Sequence, residues 1–242
     1  MQHLEKIVLD EIRQPQNDAL FSKAFSFLSG AVDRALEKLE QFNVNDYAKS
    51  VATGFMSRMN RNNDASTRKN IKNSVGVDLQ TQIQHEDINQ YLDVAIKNNV
   101  ALIKSIKTDY MKDIGDVLRK NLLDGARSTD LITQIKERGQ VNENRAKFIA
   151  RDQTAKANAD LTEIRSKALG STTYVWSGSM DERERKTHKA MEGKLCKWSD
   201  PTVYSDDNGQ TWKKRSEIGA VELHPGKDYS CRCVSMPNVS WG

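Results

Sequence analysis

Proline and cysteine are scarce in this sequence, and each shortage limits what the chain can be. Only four of the 242 residues are proline, and Pro15 is the only one before Pro201. Because proline interrupts helices, the first two thirds of the chain can form long ones. Three cysteines make a poor disulfide framework, which favours synthesis in a reducing compartment such as a cytoplasm.

The sequence lacks the signatures of several functional classes. No apolar run approaches the roughly 20 residues that cross a bilayer, and the first residues lack the pattern of a secretory signal, so no membrane partner is expected. The net charge of +4 permits contact with nucleic acid without requiring it. A Gly-rich phosphate loop, a nucleophile elbow and a His-Glu-x-x-His helix are missing from the sequence, so we predict that the chain is not an enzyme.

Hydrophobic periodicity predicts three long helices. Apolar residues recur at steps of three and four over 19–41, from 88 to about 125, and from 131 towards 164. The Ser128-Thr129-Asp130 cluster suits the start of the third helix, and Gly139 could break or kink it. We therefore predict a helical N-terminal region over residues 1–127.

The C-terminal third has a different composition, because it holds all four tryptophans. β-Branched and aromatic residues predict a strand over 171–176, and a charged segment predicts a short helix over 180–191. The turn sequence at 206–209 predicts a hairpin between 203–204 and 210–212. Trp176 and Trp198 are candidates for a small core. The fold class is therefore α+β, with a compact module of short strands and a hairpin over residues 128–242.

A basic segment lies between the first two predicted helices. Its cations are Arg58, Arg61, Arg68, Lys69 and Lys72. One interpretation is a flexible loop that contacts the phosphates of double-stranded DNA. The favoured alternative is a solvated linker or polar helix face, because no aromatic residue is interleaved to stack on a base.

The last part of the chain gathers residues that could bind a metal. Zinc prefers thiolate and imidazole ligands, and the candidates are His188, His224, Cys231 and Cys233, with Cys196 as another possible fourth ligand. The single residue between the last two cysteines is not the spacing of familiar zinc modules, and it would strain a disulfide between them. In the alternative without a metal, Cys231 and Cys233 alternate on a strand and His224 hydrogen-bonds a turn.

The predicted helix over 180–191 would place Asp181, Arg185 and His188 on one face. An acid beside a histidine could transfer protons, but a helix cap with an ion pair is the favoured interpretation. Arg183 and Arg232 could bind phosphate, or could organise loops through carbonyl and carboxylate groups.

In their order along the chain, these motifs resemble the phage Mu F-like head morphogenesis family, the minor capsid proteins of tailed bacteriophages. The resemblance covers about 129–233. The matching residues are Arg151, Tyr174, Trp176, Asp181, Arg183, Arg185, His188, His224, Cys231, Arg232 and Cys233. The family often has Ala-Arg-Thr-Glu where this chain has Ala150-Arg151-Asp152-Gln153.

The resemblance implies a protein of the virion, present in few copies inside the capsid near the portal. It implies a role in procapsid assembly with the portal, major capsid or scaffold protein as a partner, and contact with the packaged DNA. Within the family, the histidines and cysteines suggest a metal site. Two alternatives stay open: a metal-dependent nuclease with His188 as general base, and a zinc-stabilised DNA-binding protein.

Overall fold

Five long helices make up most of the chain in a computed structural model, which describes residues 2–12, 21–76, 88–124 and 128–238. The helices are α1 (Gln2–Ile12), α2 (Phe21–Gln41), α3 (Asn45–Val75), α4 (Asn89–Asp124) and α5 (Ser128–Ala168). None of them combines the length and apolar character that a membrane span requires. The three helices predicted from periodicity correspond to α2, α4 and α5, and the α+β class is confirmed.

The chain divides into two compact units. The first comprises Met1–Ala52 and Lys97–Ile149, and the second comprises Thr53–Ile96 and Ala150–Gly242. The predicted domain limit after residue 127 stays a prediction.

Gly139 does not interrupt α5, contrary to the expectation of a break or kink. A glycine inside a helix costs about 1 kcal/mol relative to alanine, which the packing of a 41-residue helix can offset. The glycine also makes room for Glu5, because a Cβ at this position would lie 2.8 Å from Glu5 Oε2.

The first unit has its own apolar core. It is formed by one face of each contributing helix, with Leu4, Val8, Leu39, Tyr110, Ile114, Leu118 and Ile135 among its buried residues. Glu11 is buried at the edge of this unit and forms ion pairs with Arg34 and Lys38. Both cations lower the pKa of Glu11, the hydrogen bond from Lys38 most of all.

The helical part of the second unit contains a buried polar network. Arg165 of α5 is 1% exposed, and its guanidinium donates to Asn63 Oδ1 and Asn60 Oδ1 of α3, both at 2.6 Å. Asn63 also donates to Thr162 Oγ1 at 2.8 Å. These bonds compensate the desolvation of the guanidinium and fix the register of α3 against α5.

The module that follows α5 is built on a three-stranded antiparallel sheet. The central strand β1 (Thr173–Ser177) pairs with β2 (Leu195–Lys197) on one side, and with the strand Val234–Asn238 on the other. Tyr174 and Trp176 alternate with half-buried residues and point into the core beside Trp198. The predicted strand and the two predicted core tryptophans are thus confirmed.

A small hairpin connects to this sheet through Ser205. Its strands are β3 (Val203–Tyr204) and β4 (Lys213–Lys214), so the return strand lies later than the predicted 210–212. The reason is the turn, in which Asp207 accepts hydrogen bonds from the N–H of Thr211 and the hydroxyl of Ser205. These bonds keep residues as far as Thr211 in the turn. A short 3-10 helix (Arg215–Ile218) follows, and Val234–Asn238 is β5.

The helix predicted over 180–191 is wrong, because only Lys186–Lys189 forms a helical turn, α6. Asp181 Oδ1 accepts from the N–H of Arg183, and Glu184 Oε2 accepts from the N–H of Met180. Short acidic side chains that bind nearby backbone N–H groups compete with helix formation. Met180 also has a positive φ of 51°, which is incompatible with a helix start.

Candidate metal centre

The site is carried by a loop over residues 224–233, here called the Cys loop, which packs against α5. Gly226 has a φ of +81°, and a Cβ on it would lie 2.8 Å from the carbonyl oxygen of Ala155 and 2.9 Å from Ala159 Cβ. Only glycine allows both this backbone conformation and this close approach. The His-Pro-Gly sequence therefore marks the place where the Cys loop meets α5.

Two acidic residues of α5 anchor the Cys loop further. Asp152 is buried, and its Oδ1 accepts from the N–H of Ser230 at 3.1 Å. Asp160 forms an ion pair with Lys227. Asp152 belongs to the Ala-Arg-Asp-Gln sequence that departs from the family pattern, and here an aspartate makes the contact between helix and loop.

Three candidate ligands lie close together, two from the Cys loop and one from α6. His188 of α6, Cys231 and Cys233 are all buried, and their ligand atoms lie within 4.8 Å of one another. Each Sγ lies 3.5 Å from His188 Nδ1. The N–H of Gly226 donates to Cys231 Sγ at 3.3 Å.

The second nitrogen of His188 is held by Asp228, whose Oδ2 lies 3.1 Å from Nε2. Arg185 Nη1 also lies 3.1 Å from this Oδ2, and its Nη2 donates to the carbonyl oxygen of Tyr229. The carboxylate therefore favours the tautomer with the proton on Nε2, which directs the lone pair of Nδ1 towards the thiols.

Glu184 approaches the same group from the other side. It is 8% exposed, and its Oε1 lies 3.4 Å from Cys233 Sγ. A Cβ at Gly178 would lie only 2.2 Å from this oxygen, so the glycine makes room for the carboxylate. Glu184 thus places a carboxylate against the thiol of Cys233.

The side chains of this group change one another's pKa values. A hydrogen bond from the thiol of Cys233 lowers the pKa of Cys231, against the effect of burial, and His188 lowers it further. The bond with Cys231 raises the pKa of His188. Cys196 behaves differently: burial raises its pKa, and its Sγ lies 3.6 Å from the carbonyl oxygen of Lys194. The group therefore favours a thiolate at Cys231, and Cys196 is an ordinary buried thiol.

His224 does not join the group of three. Its Nδ1 lies 2.8 Å from the hydroxyl of Tyr174, and its ring packs against Tyr174 and Trp198. Burial lowers the pKa of His224, which favours its neutral form. The proposed hydrogen bond to a turn is not observed, because the partner is a strand residue of the core.

Neither cysteine of the Cys loop lies on a strand, because β5 begins only at Val234. All three cysteines are free thiols. The alternative in which Cys231 and Cys233 alternate on a strand is therefore wrong.

The remaining charged motif residues do not join the group of three. Asp181 and Arg185 do not share a helix face with His188; Asp181 instead forms an ion pair with Arg232, which lowers the pKa of Asp181 to about 2. Arg183 and Arg151 are exposed. These positions are consistent with loop organisation more than with proton transfer.

The five basic residues singled out at 58–72 lie on α3, so the flexible-loop interpretation is wrong. All are exposed except Arg68, which is half-buried and donates to Asp64 Oδ2 at 2.8 Å. Arg58, Arg61 and Lys69 are separated by steps of three and eight residues, which places them on one side of the helix. The buried side of α3, with Met56 and Asn63 among its residues, faces the opposite way.

Sequence reasoning missed Glu184, Asp228 and Arg215. Arg215 is completely buried and donates to the carbonyl oxygens of Val203 and Leu223 and to the hydroxyl of Tyr174. Nothing local distinguishes it from other arginines, since its partners lie up to 41 residues away. Glu184 and Asp228 could have been suspected only from their closeness in sequence to His188 and Cys231.

Comparison with known proteins places this module in context. The model of a family described as phage Mu protein F like protein matches residues 112–236. A protein of Haemophilus influenzae, described as uncharacterized, is 34% identical over 230 residues, which cover 93% of this chain and 48% of that protein. The chain therefore spans about half the length of this relative. No solved structure matches the chain significantly.

Proposed function

Because this chain belongs to the phage Mu protein F like family, we propose that it is a minor head protein that acts in the morphogenesis of a bacteriophage head. The observation that carries the proposal is the family match over 112–236, which includes the sheet, α6 and the Cys loop. In this proposal the chain is synthesised in the bacterial cytoplasm and is incorporated into the capsid interior near the portal. Its partners are the portal, major capsid or scaffold protein.

The character of the site supports a structural role. Catalytic zinc sites keep a position open to substrate, whereas structural sites are closed by protein ligands. Here the side chain of His188 is 3% exposed and both cysteines are buried. A general base at His188 would have no access to the backbone of a nucleic acid, which disfavours the nuclease alternative.

Co-assembly tests the proposal. The full chain would be expressed with the portal, major capsid and scaffold proteins of its phage, and particles would be separated on a sucrose gradient. We expect mass spectrometry to find the chain in the particle fractions in few copies. The matched control omits the portal gene and is expected to remove the chain from the particles. Particles that never contain the chain would contradict the proposal, and incorporation without portal would contradict the location near it.

A second function, contact with packaged DNA, is supported by the basic side of α3. Arg58, Arg61 and Lys69 are exposed on one side of a regular helix, where their charges can meet successive phosphates. A rigid helix presents these cations without the ordering cost that a flexible loop would have.

Salt-dependent binding tests this function. Replacing Arg58, Arg61 and Lys69 by serine should weaken binding to duplex DNA, and the slope of log K against log salt should fall by about 0.9 for each phosphate that the variant no longer neutralises. The matched control replaces three exposed lysines of α4 by serine and removes the same charge; these are Lys104, Lys112 and Lys120. Equal weakening in both variants would indicate a general charge effect, and no binding at low salt would contradict the function.

A further inference from the structure

We propose that α6 and the Cys loop together bind a structural Zn²⁺ ion. Its protein ligands are His188 Nδ1, Cys231 Sγ and Cys233 Sγ. The carboxylate of Glu184, a residue that the sequence alone does not single out, lies beside Cys233 at the edge of this group. The ion fastens the Cys loop to the sheet module.

The spacing of the ligand atoms fits tetrahedral zinc. Bonds of about 2.3 Å to sulfur and about 2.0 Å to nitrogen place the sulfur and nitrogen atoms about 3.5 Å apart at the tetrahedral angle. Both Sγ atoms lie 3.5 Å from His188 Nδ1.

A metal would use all three ligand atoms at the same time. In the tautomer that Asp228 selects, the single lone pair of His188 Nδ1 can accept from only one of the two thiols at 3.5 Å, and the thiol of Cys233 also lies within hydrogen-bond distance of Glu184 Oε1. One cation at the centre would satisfy the nitrogen and both sulfurs at once. Buried thiols without a metal usually act as small apolar groups, as Cys196 does in the same module.

The surroundings supply what a zinc site needs beyond its ligands. A histidine that binds a metal generally donates its other N–H to a carboxylate, and Asp228 accepts from His188 Nε2. The N–H of Gly226 donates to Cys231 Sγ, which stabilises a thiolate. Asp228 is therefore a positioning residue for His188.

The ligands come from parts of the chain that are far apart in sequence. His188 and Cys231 are separated by 43 positions, so one ion closes a long loop within a module whose apolar core is small. Metal binding energy is folding energy in such modules. Removal of the ion is therefore expected to loosen the Cys loop and the strand β5 that follows it.

Metal analysis of the full-length protein tests the proposal. We expect protein purified without chelator to contain about one zinc per chain. Cys231→Ser and Cys233→Ser should each lower the zinc content at least about tenfold, and Cys196→Ser is the matched control, a buried thiol of the same module that should keep its zinc. Zinc content unchanged in both ligand variants, or equally reduced in the control, would overturn the assignment.

A measurement on the unmodified chain covers the case in which a variant fails to fold. Co²⁺ added to the reduced, zinc-depleted protein should give the visible absorption of a tetrahedral site with thiolate-to-cobalt charge transfer, and zinc should abolish it. A reduced, folded chain that binds neither Co²⁺ nor Zn²⁺ would overturn the site. The result is independent of particle incorporation, so it does not depend on the proposed assembly role.

Two further variants test the outer part of the site. Asp228→Asn removes the carboxylate that orients His188, and Glu184→Gln removes the carboxylate that lies beside Cys233. We expect each to raise the dissociation constant of zinc by about tenfold or more, as loss of an orienting partner typically does. A dissociation constant unchanged in Asp228→Asn would overturn its positioning role, and one unchanged in Glu184→Gln would overturn the contribution of that carboxylate.

Discussion

The N–H of Gly226 donates to Sγ of Cys231 at 3.3 Å, while the Cα of the same glycine lies against the backbone of α5. Gly226 thus links the candidate ligand Cys231 to α5, the helix that supports the Cys loop. Two features of this position require glycine: its φ of +81° and the lack of space for a Cβ.

Gly226→Ala should therefore destabilise the module. A left-handed backbone costs about 1–2 kcal/mol for a residue with a Cβ, and the close approach to Ala155 adds steric strain, so we expect the free energy of unfolding to fall by about 3 kcal/mol. The control is Gly193→Ala, which has a φ of +69° with no atom within 4 Å of its Cβ and should show only the backbone cost. Denaturant unfolding followed by tryptophan fluorescence measures both; equal destabilisation would contradict the close approach.

Asp152→Ala should release the Cys loop from α5. The variant leaves the N–H of Ser230 without its acceptor, and removing such a bond typically costs about 1–3 kcal/mol. Asp152 also makes an i,i+4 ion pair with Lys156, so Glu163→Ala is the control, because Glu163 makes the same kind of pair with Lys167 on the same helix. We expect about 0.5 kcal/mol or less for the control. Similar destabilisation in thermal unfolding would show that the ion pair, and not the loop anchor, is the main contribution.

Arg215→Met should be among the most destabilising substitutions in the module. It removes the donor for the carbonyl oxygens of Val203 and Leu223 and for the hydroxyl of Tyr174, and we expect the free energy of unfolding to fall by about 3 kcal/mol. Arg215→Lys should rescue little, because a lysine cannot reproduce the planar fork of donors. The exposed Arg183→Met is the control, with an expected change within about 0.5 kcal/mol. A stable Arg215→Met protein would refute the organising role.

Protonation of His224 should weaken the fold in mild acid. Burial lowers its pKa, so the unfolded state, with an ordinary pKa of about 6.5, binds the proton first as the pH falls. The free energy of unfolding should therefore fall below about pH 6.5 relative to that of His224→Gln, which keeps an acceptor for Tyr174 but does not titrate. The charged groups that act on His224 are Glu163, Lys167, Asp200 and Arg215.

Parallel urea titrations between pH 5 and 8 measure this difference. The variant supplies the background from all other titrating groups. Stability curves with the same pH dependence in both proteins would contradict a buried neutral His224.

Local sequence patterns predicted the parts of the fold that local forces determine. Apolar periodicity predicted α2, α4 and α5, because an amphipathic helix needs one face to pack against a core. The same logic failed at 180–191, where Asp181 and Glu184 bind backbone N–H groups and hold the chain out of a helix. Side-chain competition of this kind depends on geometry that residue types do not reveal.

At the site, too, residue types predicted some features, and contacts between distant parts of the chain determined the others. Soft ligand chemistry singled out His188, Cys231 and Cys233, and the structure brings these three residues together. It also included His224, whose nitrogen lies instead against the hydroxyl of Tyr174, 50 positions away. Partners at such separations are selected by the tertiary fold, so composition and spacing could not distinguish this histidine from His188.

The most direct test of the assembly role is to count the chain in native particles. Heads purified from lysates of a host that carries this gene with its neighbouring phage genes would be analysed by quantitative mass spectrometry, against the portal protein as an internal standard. The account predicts a reproducible, small number of copies per head that survives washing in high salt. Heads that assemble normally and contain none of the chain would contradict it.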